Sequence, residues 1–239
     1  MLESARLDRI LFLDVETVSS QKEYRLLPNN WKKLWDKKAS FLKNEEQSPE
    51  DIYSKAGIYA EFGKVICISL GLYREVKGNR QLRVKSFYGD DEKVLLKEFC
   101  SILKTHFESP DYLLCAHNGK EFDFPFLARR ILINRLPLPY LLDIAGRKPW
   151  EVQHLDTLQL WKFGDFKHYT SLELLTALFG IKSPKSEMDG SDVNRVYWEE
   201  KNLKKIVTYC ERDVVAIVQL LLAYKGLPEI KKNEIKMIN

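Results

Sequence analysis

A single α/β domain, a mixed sheet flanked by helices, is the fold class predicted by this 239-residue sequence. Three observations predict it. Short apolar runs alternate with stretches of helical periodicity, a hairpin signal separates two of the runs, and no repeat, low-complexity segment or linker divides the chain into two folded units.

The elements follow in order. Ile10-Leu11-Phe12-Leu13 reads as a short buried strand within Arg9 to Asp14, ending abruptly in charge at Asp14 and Glu16. Two further strand-like runs, Val65 to Tyr73 and Leu82 to Tyr88, are separated by the turn signal Lys77-Gly78-Asn79. Asp91 to Phe107 has helical spacing at Val94, Leu95, Phe99, Ile102 and Leu103, and Asp111 to Ala116 returns as a strand. Phe124 to Leu136 is helical, with Pro125 in the first turn, where its missing N–H costs little, and Asp123 at the entrance. Asp156 before Thr157 reads as a helix cap. Thr170-Ser171-Leu172-Glu173 matches a capping box, with Gly180 closing the helix it starts. Asn202 to Tyr224 is the longest amphipathic helix, and Pro228 to Asn239 reads as a lysine-rich tail or short final helix. A long excursion, about residues 19–62, interrupts the first strand and its hairpin.

Composition narrows the classes of function. Hydrophobic residues make up 45% and charged residues 30%, an ordinary globular balance. Lys plus Arg is 38 against 34 Asp plus Glu, so the net charge of +4 is too small for a protein that coats a polyanion by bulk charge. The excess is local. Gln21 to Lys43 holds seven basic and two acidic residues, and the rest of the chain sums to −1. No apolar run reaches the ~18 residues of a membrane span and the N-terminus has no signal-peptide core, which predicts a cytoplasmic protein without membrane contact. Cys67, Cys100, Cys115 and Cys210 lack metal-ligand spacing and read as reduced core residues.

Three features carry chemistry. Asp14 and Glu16, two apart on a strand, share one face. They either emerge into solvent or hold a hard divalent cation. In the last helix Asp213 interrupts the apolar stripe Ile206, Cys210, Val214, Ile217 and Leu221, with Tyr209 one turn earlier. Between them, Ala116-His117-Asn118-Gly119-Lys120-Glu121-Phe122-Asp123-Phe124-Pro125-Phe126-Leu127 brings an Asp to a helix start amid phenylalanines, as a cap or as a functional carboxylate. In the excursion, Trp31 and Trp35 share a helix face among lysines, suited to docking on the domain or to stacking bases, with docking favoured.

Taken together, D-x-E-T at the end of the first strand, H-N-x-x-x-F-D-x-P-F-L-x-x-R in the middle and Y-x-x-x-D on a late helix resemble the DEDD superfamily of 3′-5′ exonucleases. The middle motif is most similar to the proofreading exonuclease domain of family B DNA polymerases, here as a stand-alone relative with no polymerase domain. Thr208 stands where the histidine subclass would place His, so the chain resembles the tyrosine subclass.

The resemblance implies a ribonuclease-H-like fold and two divalent cations, Mg²⁺ or Mn²⁺, held by Asp14, Glu16, Asp123 and Asp213, with Tyr209 orienting the attacking water. It further implies that Thr17 and Asn118 contact the terminal nucleotide. Phe122 or Phe124 would stack on or wedge against a base, or else pack in the core. The expected substrate is a single-stranded 3′ end, DNA before RNA. The alternatives are an exoribonuclease of the same superfamily and a catalytically idle nucleic-acid-binding module. Met188-Asp189-Gly190-Ser191-Asp192 is a loop near the substrate or an ordinary surface turn, and His117 is expected to hydrogen-bond locally.

Overall fold

The computed structural model describes residues 5–165, 169–181 and 188–238. Met1 to Ser4 and the final Asn239, read above as parts of the two termini, lie outside the described residues.

The first strand, β1 (Ile10–Ser19), is longer than its apolar run. Strand pairing uses backbone groups, so the two carboxylates do not end it: Asp14 stands opposite Ser69 and Glu16 opposite Cys67 in the antiparallel ladder with β2 (Gly63–Val76). A bulge follows at once, the partner of Thr17 being Val65. A two-residue loop, Lys77-Gly78, with φ of 52° and 76°, carries β2 into β3 (Asn79–Tyr88), as a primed hairpin turn requires.

The helix α2 (Glu92–His106) starts where the Asp91 side chain accepts from the N–H groups of Lys93 and Val94. Then come β4 (Leu113–Ala116), α3 (Asp123–Ile133), a two-residue strand β5 (Leu155–Asp156) and the short α4 (Thr157–Lys162). In α5 (Leu172–Leu178) the cap is Ser171 rather than Thr170, one residue later than the box pattern suggests. The helix α6 (Val193–Trp198) precedes α7 (Leu203–Tyr224), which Asn202 caps.

The sheet order is β5-β4-β1-β2-β3-β6, and β2 alone runs against the other strands. This mixed sheet, covered by helices on both faces, is a ribonuclease-H-like arrangement with one strand added at its edge. The added strand, β6 (Ile235–Ile238), corrects the expectation of a tail or final helix: it pairs in parallel with β3 from Leu82 to Lys85. Its approach is pinned from two sides. Arg80 donates to the carbonyls of Pro228 and Glu229 and pairs with Glu234, and the buried Gln219 amide exchanges hydrogen bonds with the backbone of Ile230.

Burial on both faces explains why β1 reads as a continuous apolar run. Leu11, Leu13 and Val15 pack with α2 and α3, while Ile10 and Phe12 pack with Val214, Ile217 and Leu221 of α7. On the first side a buried ion pair fixes α3. Arg130 binds Glu92 and donates to the Ala60 carbonyl, while Glu92 also accepts from the Val65 N–H, so α2, α3 and the start of β2 are tied at one point. All four cysteines are free and buried.

The excursion builds its own small core. Its helix α1 (Asn29–Ala39) buries Trp35 completely, edge-on to Tyr53 and Phe62, with the indole N–H on the Pro49 carbonyl at 2.8 Å. Trp31 lies against Phe62 at the rim, Lys33 and Lys37 are exposed, and the ammonium groups of Lys32 and Lys38 sit over the rings of Tyr24 and Tyr59. Close backbone approach seats the segment on β1: a Cβ at Gly63 would come within 2.7 Å of the Gly57 carbonyl oxygen, and one at Gly57 within 3.1 Å of Val18.

Candidate active site

Strand period and helix period meet at one point. The face of β1 turned to α7 carries Ile10 and Phe12 and continues into Asp14 and Glu16. On α7, Cys210, Val214, Ile217 and Leu221 are buried, and Tyr209 and Asp213, one turn apart, flank that stripe half-buried. The Cys210 thiol donates to the Asp14 carbonyl at 3.4 Å and holds helix to strand. Asp123 opens α3 and is delivered by the turn after β4.

The four carboxylates act on one another. Burial raises Glu16 well above the usual carboxylate range, and the charges of Asp14, Asp213 and Asp123 add to it. Burial also raises Asp123, with Asp14 the next cause. Asp14 is pushed up to about 6, with burial the main cause. Asp213 is pushed up to about 8 by burial and by the Asp14 charge, against a hydrogen bond from Tyr209. Each like-charged pair 4 Å apart costs ~4 kcal/mol at an effective dielectric of 20, so this cluster needs protons or a cation.

The donor set suits a cation. Asp14 Oδ2 is buried without a hydrogen-bond partner, and ligand atoms of Asp14, Glu16 and Cys210 lie within 4.8 Å of one another. Asp123 and Asp213 stand outside that group of three. Carboxylate oxygens are the ligands that Mg²⁺ and Mn²⁺ prefer.

A family model described as a predicted 3′-5′ exonuclease related to the exonuclease domain of PolB matches residues 58–230. The chain belongs to this family.

The exonuclease-family match contains Asp123, Tyr209 and Asp213 but begins after Asp14 and Glu16. Those two reach the matched part through the ladder that sets Asp14 against Ser69 and Glu16 against Cys67. Tyr209 lies one turn before Asp213, its phenol raised by burial and then by the charges of Asp213, Glu16 and Asp14, so it stays protonated at neutral pH.

The remaining residues singled out in the sequence fall in different places. Thr17 follows the bulge and donates its hydroxyl to the Gly57 carbonyl at 2.8 Å. Asn118 has φ of 63°, and its backbone N–H is bound by Asp156. Phe122 is half-buried against Phe126, whereas Phe124 is fully buried beneath Gly119, which closes the base-stacking reading for Phe124.

His117 is locally bonded, to the Thr157 hydroxyl at 2.9 Å and the Thr170 carbonyl at 3.0 Å, and burial lowers its pKa. Asp156 is more than a helix cap. Its buried carboxylate accepts from the N–H groups of Asn118, Lys120, Leu158 and Gln159, joining the turn before Asp123 to the start of α4. Asp189 caps a tight turn over Gly190–Asp192, and Met188 beside it packs with Ile206 and Cys210.

Two nearby residues were not found by sequence reasoning. Cys210 was hidden because a Cys in an apolar stripe reads as core, although its position between Tyr209 and Asp213 is a signal. Tyr169 lies in a stretch without periodicity, and only the fold brings it against His117, next to Asn118.

Proposed function

We propose that this protein is a metal-dependent 3′-5′ exonuclease that hydrolyses the terminal phosphodiester of single-stranded nucleic acid, DNA in preference to RNA. The observation that carries the proposal is the pairing of Asp14 and Glu16 on β1 around a buried Asp14 oxygen without a hydrogen-bond partner, in a cluster whose charge acts on Asp123 of α3 and Asp213 of α7. Relation to a DNA polymerase's exonuclease domain supports DNA.

Two divalent cations, when bound, supply neutralisation of the scissile phosphate and a water acidic enough to attack near neutral pH. Asp14, Glu16, Asp123 and Asp213 are the residues that hold them. The Tyr209 hydroxyl, one helical turn from Asp213, orients the attacking water. It is not the base, because its surroundings raise its pKa rather than lower it. Thr17 and Asn118 flank the terminal nucleotide.

The test is shortening of a 5′-labelled oligonucleotide in Mg²⁺ or Mn²⁺. The expected result is a ladder of single-nucleotide steps that EDTA abolishes and Asp213→Ala reduces at least 100-fold, on the order of one lost transition-state group. Undiminished activity in EDTA or in that variant overturns the mechanism. Paired DNA and RNA of one sequence test the preference.

A further inference from the structure

Tyr169 lies against His117, at the start of the turn that leads from β4 to Asp123. Its side chain is 62% exposed, and its ring meets His117 edge-on, with centroids 6.0 Å apart and planes at 73°. His117 is itself fixed at both nitrogens, by Thr157 and by the carbonyl of Thr170, the residue after Tyr169. One contact thus braces the tyrosine against the turn that leads through Asn118 to Asp123. Tyr209 is half-buried, and Phe124 is fully buried. Tyr169 therefore offers an exposed and braced aromatic surface beside the turn that carries Asn118 and delivers Asp123.

We infer that Tyr169 is the stacking platform for a base at the 3′ end of the substrate. The inference rests on the exonuclease reading above and deepens it. An enzyme that removes successive nucleotides must accept every base, and stacking is sequence-tolerant because each base has a π-face. The ring needs no charge for this, and a neutral phenol adds none beside the phosphates.

The experiment uses the full chain. An oligonucleotide with a 3′-terminal 5-iodouracil is irradiated with the protein in EDTA and the cross-linked residue is mapped by mass spectrometry. Its affinity is measured in parallel by fluorescence anisotropy. The expected cross-link is to Tyr169. Tyr169→Ala weakens binding about 5- to 150-fold, the range for one lost base stack, and Tyr169→Phe retains it. The loss disappears when the terminal nucleotide is abasic, which a merely structural role would not produce. A cross-link elsewhere, wild-type affinity in Tyr169→Ala, or a loss in Tyr169→Phe equal to that in Tyr169→Ala overturns the inference while leaving the exonuclease reading intact. Absence of both oligonucleotide binding and metal-dependent shortening by the wild-type protein overturns the exonuclease reading, and the inference with it.

Discussion

The Asp213 carboxylate is held between opposed influences: burial and the Asp14 charge push its proton affinity up, and the Tyr209 hydroxyl pulls it down. The first wins, which sets the sign of the pH dependence. A carboxyl whose folded pKa lies above its unfolded value of about 4 adds stability below that value and loses it as pH rises through the folded pKa. For Asp14 and Asp213 the loss runs from about pH 4 past the folded values of about 6 and about 8. Metal-free protein should therefore melt at a lower temperature at pH 8 than at pH 6, each kcal/mol lowering Tm by about 2–4 °C in a chain of this size. In Asp213→Asn this drop should be smaller. Mn²⁺ should raise Tm more at pH 8 than at pH 6, because bound metal requires the deprotonated ligands. Thermal melts at both pH values, with EDTA and with Mn²⁺, decide this, and a metal-induced shift independent of pH contradicts it.

At the scale of elements, the site depends on how closely α7 lies on β2. A Cβ placed on Gly71 would come within 2.7 Å of the Val214 Cγ1 methyl, one residue from Asp213. Gly71→Ala is expected to destabilise the protein by about 1–3 kcal/mol and to reduce metal-dependent activity, and adding Val214→Ala should recover part of the loss. A double-mutant cycle by chemical denaturation measures the coupling, and strict additivity would refute the contact. Elements with strong periodicity were legible in the sequence: α2, α3 and α7 fall within a few residues of their predicted spans, because each turns an apolar stripe to the sheet. The end of β1 was not, since charged side chains do not interrupt a backbone ladder. Nor was β6, whose four residues become a strand by pairing with the edge of β3. The start of α4 was legible, since Asp156 caps it as its place before Thr157 suggests. The acidic residues and Tyr209 were singled out because motif spacing survives in sequence. Tyr169 and the four N–H donors on Asp156 could not, because they depend on contacts between distant segments.

For the whole molecule, the excursion of residues 20–62 is a second packing centre fastened to β1 beside Thr17. Its stability rests on Trp35. Trp35→Ala should cost about 3–5 kcal/mol and lower Tm by roughly 10 °C, with early protease cleavage inside residues 20–62. Unchanged protease resistance would show that the segment does not depend on this core. Among the described residues no helix is long and apolar enough to cross a membrane.

Cys210 reaches Asp14 across 196 residues of sequence. That separation orders events in time. During synthesis β1 leaves the ribosome before α7, so the two halves of the site cannot meet until the 196 residues that separate Asp14 from Cys210 have been made. The mutual repulsion of the carboxylates is therefore absent from the early nascent chain and arises only when α7 docks. The cluster is therefore incomplete until α7 has docked, and the step that brings Cys210 onto Asp14 is also the step that assembles the candidate site.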